Sequence, residues 1–189
     1  MASNRIQDII EFWFLPETND AFGKPRAEWF EKNSEFDAEI RNRFNDDFES
    51  AISGRLLSWT ECAKGSLALI LLFDQFTRNM FRDDARAFSA DGKARELARH
   101  MLSSGQYNEL APIYKSFALL PFEHSEDMED QKLSVKLFTE LGNDGSLDYA
   151  QRHYDIIKQF GRFPHRNKIL GRQNTPAEEA FLKQPNSSF

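Results

Sequence analysis

Apolar residues recur along this chain at helical spacing, and the strict alternation that marks a half-buried strand is almost nowhere to be found. Ile6, Ile9, Ile10, Trp13 and Phe14 form one stripe behind a capping Ser3, and Pro16 follows its end. A short helix is predicted from Pro25, carrying Trp29 and Phe30. Ser34 and Asp37 open a longer one in which Phe36, Ile40, Phe44, Phe48 and Ile52 share a face, and Gly54 stops it. The stretch from Leu67 to Asn79 is different. Leu67, Ala68, Leu69, Ile70, Leu71, Leu72 and Phe73 are apolar on every face, which predicts a helix buried all round. A buried strand is the alternative for so short a run; the scarcity of β-branched residues and the polar continuation favour helix.

Further along, Ser89 and Asp91 open a helix that runs to about Ser104 and ends at Gly105. Pro112 begins another, ending near Leu120 and Pro121. Ser125, with Glu126 and Asp127 in the first turn, starts a helix whose core positions are Leu133, Leu137, Phe138 and Leu141, closed by Gly142. Ser146 caps a helix with Tyr149, His153, Ile156, Ile157 and Phe160 on one face, closed by Gly161. In Thr175-Pro176-Ala177-Glu178 the threonine caps, the proline takes the first helical position and the glutamate returns the bond. The pattern predicts an all-α chain of about eight helices on short loops, a helical bundle or stacked antiparallel pairs. No Pro/Gly/Ser-rich linker divides it, so residues 1–189 read as a single helical domain.

Composition narrows the function classes. A chain of 189 residues buries enough surface to fold without a staple, and its one cysteine, Cys62, excludes an intrachain disulfide. The start of the chain does not read as an export signal, and the longest apolar run is far short of the ~20 residues of a membrane span, so a cytoplasmic location and no membrane partner are expected. A net charge of −6 argues against general nucleic-acid binding. The charge is uneven: Glu123, Glu126, Asp127, Glu129 and Asp130 stand together without a base, and Lys158, Arg162, Arg166, Lys168 and Arg172 without an acid. Two such segments either face each other or serve two partners.

Three segments put polar residues where burial is expected. Asp74 and Arg78 share a helix face and can pair, with Asn79 and Arg82 beyond them; a structural ion pair closing a buried helix is the plainer reading. His124 and Asp127 lie about a turn apart next to Glu123, and a carboxylate beside an imidazole suits a general base; an acidic helix start with an incidental histidine is the alternative. Arg162, His165, Arg166 and Asn167, followed by Arg172, offer the planar donors that recognise carboxylate or phosphate, or else form a basic loop packed on the acidic segment. His153, on an apolar face, reads as a core histidine bonded to backbone. No HExxH or ExxH spacing is present, so no metal is expected, and no P-loop, GxGxxG or GxSxG motif implies a cofactor.

These segments resemble a known family. LLFDQFTRNMFR (71–82), LPFEHSEDMEDQ (120–131), HYDIIKQFGRFPHRNKILGR (153–172) and TPAEEAFL (175–182) are similar to the bacterial domain-of-unknown-function family numbered 924. The resemblance implies a tetratricopeptide-like, all-helical fold and carries no activity. Thr77 stands where the family usually has Pro. Together the segments predict a cleft in which Arg78, Asn79, Arg82, Arg166, Asn167 and Arg172 bind a small anion or a peptide carboxylate. Glu123, His124, Asp127 and His165 are the candidates for chemistry, with His124 or His165 as general base and Arg166 as anion clamp. The rival expectation is an interaction scaffold without catalysis.

Overall fold

The structure is a computed structural model that describes residues 2–185 and 187. Its elements are α1 (Ala2–Phe14), a 3-10 turn at Ala27–Trp29, α2 (Ser34–Ile52), a 3-10 turn at Leu57–Glu61, α3 (Ala63–Ile70), a π turn at Leu71–Gln75 and α4 (Phe76–Met80). There follow α5 (Asp91–Ser104), α6 (Pro112–Glu123), α7 (Met128–Leu141), α8 (Asp144–Phe160) and α9 (Pro176–Leu182), with 3-10 turns at Ala85–Phe88, Gln106–Glu109 and Pro164–Arg166. Among the described residues there is no strand. Because α3, the π turn and α4 run on without a break, the nine labels make eight helical rods among the described residues. None of them is long and apolar enough to cross a membrane.

The chain condenses into two compact units, Met1–Arg82 with Arg86–Pro121 and Asp83–Ala85 with Phe122–Phe189. The boundary falls inside α6, where no linker composition marks it.

The first unit is built on aromatic packing. Ile9, Ile10, Trp13 and Phe14 of α1 and Ile40 and Phe44 of α2 are almost wholly buried. The Phe76 ring lies 5.0 Å from Phe44 and 5.5 Å from Trp13, and Phe14 meets Tyr114 edge-on at 4.7 Å. The run 67–73 is buried throughout, as its pattern predicts, but it is not one regular helix. The helix expected from Pro25 is a single 3-10 turn, and its neighbour Arg26 donates to the carbonyls of Phe12 at 2.8 Å and Trp13 at 2.7 Å. Those carbonyls lie in the last turn of α1 and have no partner within the helix; the one of Trp13 also accepts from the Trp29 indole N–H at 3.0 Å. The side chain of Ser3, the expected cap of that helix, lies outside the described residues. Asn33, one position before the expected Ser34, caps α2 by accepting from the backbone N–H groups of Glu35 and Phe36. Gly65 is required for contact: a Cβ there would stand 2.1 Å from the carbonyl oxygen of Trp59.

In the second unit α7 and α8 form a helical hairpin through Gly142 and Asn143. Ile156, Ile157 and Phe163 centre its core, with Met128, Phe160 and Phe181 packed around them. Gly142 and Gly161 end their helices at φ 72° and 69°, where a side chain would be strained. Two caps differ from expectation. Asp127, not Ser125, caps α7, and Asn143, not Ser146, caps α8. Each capping side chain lies two or three residues before the N–H groups it accepts from. The Thr175–Glu178 capping box forms as expected.

The buried Asp74 and Asn79 of the first unit are paired. Arg78 stands 3.4 Å from Asp74, which is fully buried, and 3.0 Å from Asp91. Arg82 and Asn79 both bind Asp37, at 2.6 Å and 2.8 Å. Replacing Arg78 with Ala leaves the Asp74 carboxylate in the core without its guanidinium. Chemical denaturation of Arg78→Ala is expected to show a loss on the order of 3 kcal/mol; a loss under ~1 kcal/mol would mean that water reaches the pair.

Candidate functional site

The chemistry-bearing side chains of the second unit are set by the way α6 ends. Beyond Glu123 the helix stops, and its last carbonyls turn inward rather than toward water. The buried amide of Gln131 on α7 donates its two N–H groups to the carbonyls of Glu123 and Ser125 at 2.6 and 2.7 Å, with that of Phe122 at 3.4 Å. Ser125, also buried, donates its hydroxyl to Asp130 at 2.8 Å and accepts from the Asp127 N–H at 3.1 Å. This clasp fixes Glu123, only 4% exposed, and His124, half-buried, at the mouth of the hairpin.

His153 meets them from the middle of α8. Its Nδ1 lies 2.9 Å from the carbonyl of Tyr149. A carbonyl only accepts, so Nδ1 carries the hydrogen and Nε2 is the unprotonated nitrogen. The same Nδ1 is 3.3 Å from Glu123 Oε1. The rings of His124 and His153 are 6.0 Å apart. One ligand atom from each of Glu123, His124 and His153 falls within 4.8 Å of the others. The buried Phe163 ring forms the opposite wall. His153 stands edge-on to it at 5.4 Å, His165 lies 5.6 Å from it, and the Arg166 guanidinium sits over it at 4.4 Å.

Burial, above all, and then the fields of His124, Arg166 and His165, push His153 down to about 3, against the pull of its bond to Tyr149. It is therefore a neutral imidazole, and its contact with Glu123 is an N–H shared with a carboxyl group, not an ion pair. Around the cluster the acidic and basic segments interlock. Burial raises Glu126, but two bonds from Arg172 at 2.7 and 2.9 Å and one from the Phe163 N–H at 2.8 Å outweigh it and hold its carboxyl below the ordinary range. Arg162 grips Glu178 at 2.6 and 2.8 Å and, against burial, brings it to about 2.

Some of the expected site residues lie away from this cluster or are turned to the fold, and others meet in it. Arg78, Asn79 and Arg82 belong to the first unit and are bound to Asp74, Asp91 and Asp37. Asp127 spends its carboxylate on the α7 cap, Arg172 on Glu126, and the Asn167 amide donates to Asn174 at 2.8 Å. Glu123, His124, His165 and Arg166 converge. His153 joins them although the sequence reads it as a core histidine bonded to backbone, which it also is. Metal-ligand spacing is absent from the sequence, yet a carboxylate and two imidazoles are brought together here.

An all-helical protein with a buried His–carboxylate cluster at a helical hairpin is the class that fold and site define. The chain belongs to the family of bacterial proteins of unknown function called DUF924, whose model matches residues 9–186. It is similar to the solved structure of a protein of unknown function from Agrobacterium tumefaciens. The two are 37% identical with a TM-score of 0.87, over 97% of this chain and 99% of that one. No curated protein matches the chain.

The position of His153 makes stability depend on pH. The unfolded histidine takes a proton near 6.5, whereas the folded one refuses it until about 3. The unfolded chain therefore binds more protons across that window, and stability drops as pH falls through it. Denaturation midpoints recorded between pH 7 and 4 should fall steadily for the natural protein and more shallowly for His153→Gln. Parallel curves would show that the imidazole is hydrated in the folded state.

Proposed function

We propose that the second unit binds a small anion, a phosphate or carboxylate compound, against Arg166 and the imidazoles of His124 and His165. The observation that carries this reading is the gathering of His153, His165 and Arg166 on one buried ring, Phe163, with His124 beside His153. A guanidinium placed over an aromatic face in a low-dielectric wall attracts a negative group, and its planar donors favour a two-pronged acceptor. In the enzymatic form of the reading, a hydrolase-type reaction, His124 or His165 takes a proton as general base and Arg166 clamps the anion. Glu123 then holds the neighbouring His153 in one tautomer through its contact at 3.3 Å.

The scaffold reading, a tetratricopeptide-like surface for a peptide, rests on the α7–α8 hairpin, since helix pairs are the repeating unit of such proteins. It predicts binding that ignores the histidines. A thermal-shift titration with inorganic phosphate and with succinate separates the two. The natural protein and the exposed-site control Arg152→Ala should gain melting temperature with anion concentration, and Arg166→Lys and His165→Ala should lose most of that gain. Equal responses in all four proteins would be general salt screening and would end the anion reading.

A further inference from the structure

We propose that Glu123, His124 and His153 form a binding site for one divalent transition metal ion of the zinc class. The inference uses the same cluster as the anion reading but does not depend on anion binding. Three features carry it. First, one donor atom from each residue already lies within 4.8 Å of the other two. A tetrahedral ion with bonds of about 2.1 Å needs its donors roughly 3.4 Å apart, so Glu123 and His124 would have to close on the fixed His153 ring by about 1.4 Å at most. Second, the donor set is two imidazoles and one carboxylate, with a fourth position left to water. That combination suits zinc and its first-row neighbours, whereas magnesium and calcium prefer all-oxygen sites. Third, the surroundings resemble the outer shell of a metal site. The Nδ1–H of His153 is held by the Tyr149 carbonyl at 2.9 Å, which fixes the ring and leaves Nε2 as its unprotonated nitrogen. Gln131 anchors the backbone of Glu123 through its carbonyl at 2.6 Å.

Burial and charge agree with this assignment. Glu123 and His153 are 4% and 3% exposed, and the half-buried His124 gives an ion a way in from solvent. Such an ion would meet a neutral His153 and one carboxylate, leaving a net positive centre beside Arg166. An anion bound there would complete the charge balance, and a metal-bound water would be the nucleophile available to it.

The test uses the full chain stripped with a chelator and titrated with cobalt(II), a coloured stand-in for zinc. The expected result is one equivalent bound per chain, visible absorption of the strength given by a four-coordinate site, and displacement by zinc. His124→Ala and the shape-conserving Glu123→Gln should each bind about 100-fold more weakly or worse, while His100→Ala, an exposed histidine on α5, should bind as the natural protein does. Circular dichroism of each variant confirms that it is folded, and Glu123→Gln serves should His124→Ala not fold. Failure of the natural protein to bind one equivalent, or equal affinity in Glu123→Gln and His100→Ala, overturns the proposal. Phosphate thermal shifts on the metal-free protein are recorded in parallel. A shift there without cobalt binding sinks the metal site and spares the anion reading; cobalt binding without a shift does the reverse.

Discussion

A carboxylate taken out of water must find donors inside the protein, and much of this structure is arranged around that requirement. Asp74, Glu123, Asp130 and Glu178 are all 4% exposed or less. Each is met by a donor from another residue. Arg78 and the Gln75 amide serve Asp74, Ser125 serves Asp130, and Arg162 with the Thr175 N–H serves Glu178. Removing a donor exposes the full desolvation cost of the carboxylate it served, so these pairings fix where helix ends and turns lie. Glu123 differs in that one group it faces, at 3.3 Å, is a neutral imidazole N–H already bonded to a carbonyl. Around this carboxyl group stand the His124 and His153 imidazoles, which can exchange protons or bind a ligand where a guanidinium cannot.

Much of the fold was legible because its helices obey simple periodic rules. The stripe of α2, the glycine stops at Gly142 and Gly161 and the Thr175–Glu178 box all stand where the pattern puts them. The caps were less legible. Asn33-Ser34, Ser125-Glu126-Asp127 and Asn143 to Ser146 each offer more than one residue able to cap, and the geometry of the first turn chooses among them. The two-unit division was not legible at all, since it passes through the interior of α6.

The site was half visible. His124, His165 and Arg166 drew notice as polar residues beside apolar runs. His153 was hidden because a histidine on an apolar face has an ordinary explanation in a backbone bond. Glu123 and His124 both stood among the candidates, but that they face one point was hidden. Adjacent residues on a helix point about 100° apart and do not meet. Here Glu123 is the last residue of α6 and His124 the first beyond it, and the break in the helix lets neighbours in sequence face the same point.

The π turn at Leu71–Gln75 sets the phase of everything after it. The N–H of Phe76 donates to Leu71, five residues back, where an α-helix would count four. One residue is thus in excess of the regular count, and α4 is turned by about 100° from the direction α3 would have given it. Arg78, Asn79 and Arg82 reach Asp91 and Asp37 only in this rotated setting. Deleting any one residue from the segment would restore a smoother helix and swing all three away from their acids. The number of residues between Ala63 and Met80 is therefore constrained as well as their identities, much as a key depends on where its teeth fall along the blade.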